Sequence, residues 1–600
     1  MTTRFLVVPL VLLLFFSVSI AQLWYLQIVS GDDLKEQAKM TGLIVDQTMA
    51  PRGRIYDREM NILANVRPSI VVTAKPAIAM QKPEVLDRLA TILGTTRAKL
   101  EYQMRQQWHK SNFPVPVFVG ATIQQAALIA ESGEEFPGIG VQSLPMRETV
   151  GTAALEHILG NVWVPTEAIE QELKDSGQEF IPPYVGRDGV EREYEQLLMG
   201  VPGSTTYTLD RKRRPLRAVM SSSPVPGESL VLSLDLATQQ VAKEQLAGHK
   251  GAVVALDPKT GEVIAMVSSP GYDLSIYDGG LTQAESDSVN QNPDRPLLKR
   301  AIAGLYPAGS TFKIVTTLAA YMAGKFNPRE QVFCPGYLTV GNRRVKCENH
   351  PAASYDFRWA FTRSCNSYFG RLGQKVGVDG FTAVAKQIGI GVPTGIDLPG
   401  EKAGLMPDAD FVQKTHGRPF SFGDANNVGI GQGDLLVTPL QMACIAALVA
   451  NEGTNYRPHV VRAHFPRGDK SQMEVYPPEV LHTFKADSWF WATLKDAMRN
   501  VVVAGTGKAA QIPGIPVDGK TGSAENSTNR HTHAWFVGFA PADDPKIAFA
   551  VIVENAGHGG TIAAPIAKKV IETYLRPRDQ KEKSKAPEIS VKLIPDDEGP

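Results

Sequence analysis

The run Tyr306-Pro307-Ala308-Gly309-Ser310-Thr311-Phe312-Lys313 sets a hydroxyl three residues ahead of an amine. Ile314, Val315, Leu318 and Met322 follow at helical spacing, which predicts a helix that starts at Ser310 and carries Lys313 on the same face. A neutral amine in that place can take the hydroxyl proton, and the helix N-terminus favours the negative charge that develops on the oxygen. Ser-x-x-Lys alone is most often a helix cap followed by a surface lysine. Ser310 is nonetheless the only serine in the chain with lysine three residues on.

A nucleophile of this kind needs partners. Ser-x-Asn, a hydroxyl that can relay a proton with an amide that can hold a substrate, occurs at Ser288, Ser364 and Ser527. Only Ser364-Cys365-Asn366 lies between two helical stretches downstream of Ser310; the others read as loop polar residues. Lys-Thr-Gly appears twice. Lys259-Thr260-Gly261 falls in a predicted hairpin connection, where those residues need no chemical explanation. Lys520-Thr521-Gly522-Ser523 introduces the late strands, where lysine and threonine can bind a carboxylate and glycine permits close backbone approach. A separate cluster, Cys334, Cys347, His350 and Cys365, leaves only Cys444 outside it. Three thiols and an imidazole can close a tetrahedral zinc site; a Cys334-Cys347 disulfide is the alternative that an oxidising exterior favours.

The elements that must position these groups are legible in outline. An apolar run from Phe5 to Val29, led by Arg4 and ending beside Trp24 and Tyr25, is long enough to cross a bilayer with the rest of the chain outside; a cleaved signal ending near Ala21 is the alternative. Ser69–Ala74 reads as a strand, and residues 76 to 135 as helices of an accessory region. The compact part restarts near Glu228, with a helix over 236–246, strands over 251–256 and 262–268, and further strands over 534–539 and 547–553 before a last helix over 564–575. Strands at both ends with helices between predict an α+β fold, a mixed sheet packed with helices. The expected parse is a stub (1–4), a transmembrane anchor (5–29), an elongated α/β pedestal (30–227), a catalytic domain (228–576) and a charged disordered tail (577–600). Lys plus Arg equals Asp plus Glu at 62 each in 600 residues, so nothing argues for a nucleic-acid partner. Four cysteines exclude a disulfide scaffold for the whole fold.

Ser310 to Lys313, Ser364 to Asn366 and Lys520 to Gly522 stand in the order and spacing of the penicillin-binding protein and serine β-lactamase superfamily. Gly429-Ile430-Gly431-Gln432-Gly433, Thr438-Pro439-Leu440-Gln441 and His533-Ala534-Trp535-Phe536-Val537-Gly538 resemble its class B members. Pro51 to Arg58 and Gly189 to Glu195 look like that class's N-terminal pedestal, with Met60 where glycine is expected.

The resemblance implies a membrane-anchored D,D-transpeptidase of the periplasmic face of the inner membrane. In it Ser310 attacks the penultimate D-Ala of a peptidoglycan stem, Lys313 accepts its proton, and Ser364 passes a proton to the departing D-Ala. Lys520 helps keep Lys313 neutral, Thr521 contacts the terminal carboxylate, and Asn366 orients the peptide. Gly522 and Ser523 complete the substrate edge, with backbone N–H groups of Ser310 and Ser523 as the oxyanion hole. It implies no catalytic cofactor and β-lactams as inhibitors. The segment Cys334-Pro335-Gly336-Tyr337 resembles elongation-type members, which implies a structural zinc and, as partner, a membrane glycan polymerase of the shape, elongation, division and sporulation family. A division-specific transpeptidase, a carboxypeptidase or β-lactamase, and a non-catalytic penicillin sensor are the alternatives.

Overall fold

The computed structural model describes residues 4–25, 28, 43–110, 114–150, 154–178, 181–209, 215–274, 282–341, 343–347, 349–526 and 531–576. The expected tail 577–600, most of the expected stub and Ser527 lie outside the described residues. The chain divides into two compact units, residues 1–51 with 199–227 and residues 52–198 with 228–600. Residues 52–198 therefore share a unit with the chemistry-bearing half.

In the first unit, Leu43–Thr48, Gly203–Leu209 and Pro215–Ser222 form a three-stranded antiparallel sheet. The apolar N-terminal run forms a helix, Arg4–Trp24. Among the described residues no helix is long and apolar enough to cross a membrane.

Among the described residues the second unit holds two large sheets and four two-stranded ones. In the first, the 13-residue strand Ile62–Ala74 pairs with both Val115–Val119 and Ile139–Thr149, while Ile55–Tyr56 joins it to Ser229–Leu232. Met60, in the turn before the long strand, has φ 67°, so a side chain stands in a backbone state that favours glycine. Asp57 holds that turn by accepting hydrogen bonds from the backbone N–H groups of Glu59 (2.9 Å) and Asn61 (2.8 Å).

The second sheet is built from β1 (Gly251–Leu256), β2 (Val263–Ser269), β3 (Asp518–Ala524), β4 (His533–Ala540) and β5 (Ile547–Val553) in the spatial order β2-β1-β5-β4-β3. Every neighbouring pair is antiparallel, so the expected mixed sheet is corrected. The reason is connectivity: β1 and β2 form a hairpin, β3 to β5 form a meander, and β1 meets β5 directly, so no helix returns a strand to lie parallel. Both faces of the sheet are covered. Ala252, Val254, Ala548 and Ala550 face one apolar cluster, whereas Val253, Ala255, Phe549 and Val551 face another. Two-fold side-chain alternation between two buried faces is why these strands read as unbroken apolar runs.

Three helices matter on the first face: α1 (Lys313–Met322), α2 (Asn366–Ile388) and α3 (Pro439–Ala450), the last with every residue buried. Thr438 caps α3 in a reciprocal box with Gln441. The final helix, α4 (Ala563–Leu575), packs on the opposite face.

Candidate active site

Ser310 lies in a 3-10 turn, Gly309–Phe312, that feeds α1, rather than at the α-helix cap itself. A 3-10 turn brings residues three apart nearly into line, so Ser310 and Lys313 still share a face. The turn is clamped from three sides. The Gly309 N–H donates to Gly431 O at 2.7 Å, and a Cβ at Gly431 would stand 2.0 Å from the Gly309 oxygen. The indole N–H of Trp535 on β4 donates to Pro307 O at 3.1 Å. Edge strand β3 passes so close that a Cβ at Gly522 would stand 3.1 Å from the Thr311 methyl. The glycine of Lys-Thr-Gly thus serves the approach of the nucleophile's own turn.

Beneath this turn, Lys313 and Lys520 are both fully buried. The Lys313 ammonium donates to Ser364 O (2.8 Å), Ser364 Oγ (3.1 Å) and Asn366 Oδ1 (2.9 Å). Lys520 donates to the same Ser364 Oγ at 3.0 Å and to Thr521 O at 2.9 Å. Two N–H donors occupy the lone pairs of the Ser364 hydroxyl, so its own hydrogen is directed elsewhere, ready to be given away. Among the described residues none of these lysine bonds goes to Ser310, and the predicted Ser310 to Lys313 hydrogen bond is not closed. Such contacts commonly tighten only when substrate is bound.

Burial depresses the Lys313 amine from 10.5 to about 8, against an opposing pull from Cys365 and Cys347. Burial also depresses Lys520 well below its ordinary value, and here the Lys313 charge adds to the effect. Burial is thus the first cause on both amines, and each lysine holds its proton less tightly than an exposed one.

Ser310, Ser364, Asn366, Thr521, Gly522 and Ser523 line one cavity of about 690 Å³. Several lining residues were not singled out from sequence. Thr506 bonds the Thr521 hydroxyl, and His558 Nδ1 lies 3.4 Å from Ser523 Oγ. Their signal was glycine: Gly505 and Gly507 flank Thr506, and Gly557, Gly559 and Gly560 surround His558. A Cβ at Gly559 would meet the Trp535 oxygen at 2.0 Å, and one at Gly560 the Thr506 oxygen at 2.2 Å. The competing motifs sit elsewhere. Ser288 donates to Glu285 O on a surface helix, and Lys259 pairs with Asp544 at 2.6 Å.

Ser364 has φ 60°, a left-handed state that costs a non-glycine residue about 1 kcal/mol. This turn aims Ser364 at the lysines while Cys365 caps α2, its sulfur accepting from the Tyr368 N–H at 3.5 Å. Cys334, Cys347 and Cys365 are buried free thiols. Their sulfurs and a ring nitrogen of His350 all lie within 4.8 Å of one another. The Cys334 and Cys347 sulfurs are 3.7 Å apart, so the alternative disulfide is not formed. His350 Nδ1 lies 2.9 Å from Pro351 O, and its buried Nε2 has no hydrogen-bond partner among the described residues.

Comparison with known proteins accords with this geometry. Residues 251–572 match the penicillin binding protein transpeptidase domain, and residues 47–232 the penicillin-binding protein dimerisation domain. A peptidoglycan D,D-transpeptidase MrdA of Acinetobacter baumannii is 32% identical over 574 residues, 92% of this chain and 84% of that protein. A crystal structure of Pseudomonas aeruginosa PBP2 in complex with WCK 5153 is 30% identical, with TM-score 0.65, over 89% of this chain and 98% of the other. A structure described as coordinating polymerization and crosslinking by a peptidoglycan synthase complex is 25% identical, with TM-score 0.67, over 96% of this chain and all of the other. With a transpeptidase match that spans the sheet, the nucleophile turn and both lysines, the chain belongs to the penicillin-binding protein transpeptidase family.

Proposed function

We propose that the protein is an elongation-type peptidoglycan D,D-transpeptidase that cross-links stem peptides through an acyl-enzyme on Ser310. One observation carries this reading: a single hydroxyl, Ser364 Oγ, joins two buried lysines directly beneath the nucleophile's cleft. Ser310 Oγ attacks the penultimate D-Ala carbonyl and its proton passes to neutral Lys313. The N–H groups of Ser310 and Ser523 hold the oxyanion, at about 3 kcal/mol per donor. Ser364 gives its proton to the nitrogen of the departing D-Ala and is restored from the lysines. Thr521, supported by Thr506, holds the terminal carboxylate, and Asn366 orients the stem. An amine from a neighbouring stem then displaces Ser310 and forms the cross-link. β-Lactams enter the same path and stop at the acyl-enzyme.

The parse is an anchor at 5–29, a pedestal at 30–227, a catalytic domain at 228–576 and a tail at 577–600. The anchor crosses the inner membrane once and leaves the catalytic domain periplasmic. In its support, the large apolar side chains Leu13, Phe15, Ile20 and Trp24 are 59–69% exposed on the N-terminal helix. The partner is a membrane glycan polymerase, in keeping with the solved synthase complex that this chain resembles.

The cysteine and histidine cluster fits zinc. Tetrahedral thiolates about 2.3 Å from zinc stand about 3.8 Å apart, close to the 3.7 Å between Cys334 and Cys347. Donation from Nδ1–H to Pro351 O leaves His350 Nε2 free as a ligand. Zinc held by Cys334, Cys347, His350 and Cys365 supplies a structural cross-link and no catalytic step. Metal analysis of native protein tests it, with about one zinc per chain expected and none contradicting it.

The activity test is release of D-Ala from a D-Ala-D-Ala donor with formation of an amide to an added amine acceptor. Release of D-Ala with only the hydrolysed stem, or rapid turnover of penicillin, points instead to a hydrolase.

A further inference from the structure

We infer that a second cavity, separate from the cleft, binds a stretch of glycan through the acetamido group and ring face of an N-acetylhexosamine. The inference deepens the transpeptidase reading and rests on it, because an enzyme that cross-links peptidoglycan works on stems hung from chains of such sugars. The cavity encloses about 380 Å³, within the range of about 300–1,000 Å³ for small-ligand sites, and shares no lining residue with the cleft. Helix Arg97–Gln106, the short strand Val162–Trp163 and the segment after β2 that carries Tyr272 all contribute to its wall, and all belong to the second unit.

The lining has the chemistry of a sugar site. Gln107 is 1% exposed, and its Nε2 donates to Gln103 O at 3.2 Å and to Pro116 O at 3.0 Å. Both amide hydrogens are thus used and the orientation of the side chain is fixed, while the buried Oε1 has no partner among the described residues. A buried acceptor without a donor is costly, and because Gln107 lines the cavity, a ligand N–H there can satisfy it. The acetamido N–H of an N-acetylhexosamine is such a donor. Trp163 and Tyr272 offer rings to the sugar's C–H face, since the negative face of an aromatic ring attracts weakly positive C–H groups. Both rings are fixed by neighbours: Trp163 packs on Tyr184 with centroids 5.8 Å apart, and the Tyr272 hydroxyl donates to Glu156 O at 3.1 Å. Tyr102, Gln106 and Asn161 add one phenol and two amides, a mixture of donors and acceptors that suits sugar hydroxyls. The charged lining residues are one cation, Arg187, and one anion, Asp188, which pairs with Lys299, so the wall offers no excess charge to a phosphate or a polycation.

The test titrates the full chain in detergent, by calorimetry, with an N-acetylglucosamine tetramer, a glucose tetramer and peptide-free peptidoglycan strands. Wild-type protein should bind the N-acetylglucosamine tetramer about tenfold or more tighter than the glucose tetramer, which lacks the acetamido donor, and the peptide-free strands should displace it. Trp163→Ala should weaken binding about tenfold, and Trp163→Phe, which keeps a ring, should recover part of the loss. No saturable binding of the tetramer, equal affinity for the two tetramers, or displacement by free stem peptide but not by glycan overturns the inference. The comparison of tetramers uses wild-type protein alone, so it decides the matter even where a variant does not fold. Fluorescent penicillin on the same wild-type sample separates the two failures. A labelled protein that ignores the sugar fails this inference alone, whereas a protein that binds the sugar and takes no penicillin fails the transpeptidase reading alone.

Discussion

Two regions of the second unit bury charge, and they do so in opposite ways. In the N-terminal part, Arg52 and Arg147 meet Glu191 and Glu195: Arg52 reaches Glu191 at 2.6 Å and Glu195 at 3.0 Å, and Arg147 reaches Glu191 at 2.5 Å. In the catalytic part, Lys313 and Lys520 are buried together with no carboxylate among their hydrogen-bond partners, only Ser364, Asn366 and a carbonyl. The pKa directions follow. Burial opposes the Arg52 charge but Glu195 and Glu191 outweigh it, so Arg52 is raised. Burial pushes Glu191 up, yet Arg147 and Arg52 bring it below the usual carboxylate range. Both lysines, by contrast, are driven toward neutrality. Arg147 is lowered by burial and by Arg52, with Glu191 opposing the fall; burial against carboxylates serves the fold, whereas burial of like groups without them loosens a proton and makes chemistry.

The contrast is broken most forcefully at Lys313. Lys313→Ala should slow acylation by penicillin about a thousandfold, the range for loss of a general base, with little change in thermal unfolding. A change of less than tenfold would place the base elsewhere. Glu191→Ala should do the reverse. It leaves two buried guanidinium groups without their shared carboxylate and should cost about 3–5 kcal/mol of stability by denaturant unfolding. Because the folded pKa of Glu191 lies below its unfolded value near about 4.3, its contribution is present above that pH and lost as pH falls through the folded value. An acid-unfolding midpoint unmoved by Glu191→Gln would contradict that placement.

Smaller effects sharpen the boundary between the regions. Treatment with a strong chelator, or Cys347→Ser, should slow acylation about tenfold without abolishing it, since Cys365 caps the helix that follows the Ser364 turn but touches no substrate. Unchanged acylation by zinc-free protein would separate the cluster from the site. The acylation rate should also rise about tenfold between pH 6 and pH 7 and level off above pH 8, as the Lys313 amine, depressed to about 8, loses its proton. A rate that falls over that range would give Lys313 the opposite role.

What the sequence disclosed was the part written in local spacing. Ser310 with Lys313, Ser364 with Asn366 and Lys520 with Thr521 each lie within one turn or one strand step, and the structure brings all three pairs to one cleft. The hairpin after Leu256 was likewise legible, because apolar continuity and turn residues are local signals. Pairing between distant segments was not. Gly251 meets Val553 across some three hundred residues, and nothing in either stretch states that its partner runs antiparallel. Arg343, on a short strand, and Glu525, just after β3, escaped for the same reason: single charges acquire meaning only when folding pairs them on the cleft wall. Met60 was the opposite case, an odd residue in a known turn, and its φ of 67° shows that the turn kept its glycine-like shape.

The central claim is that burial of an unpaired amine makes one hydroxyl reactive. Mass spectrometry of a protease digest after penicillin treatment tests it most directly. The adduct should sit on Ser310, persist for hours, and be absent from Ser310→Ala protein; an adduct on any other residue, or none at all, would contradict it.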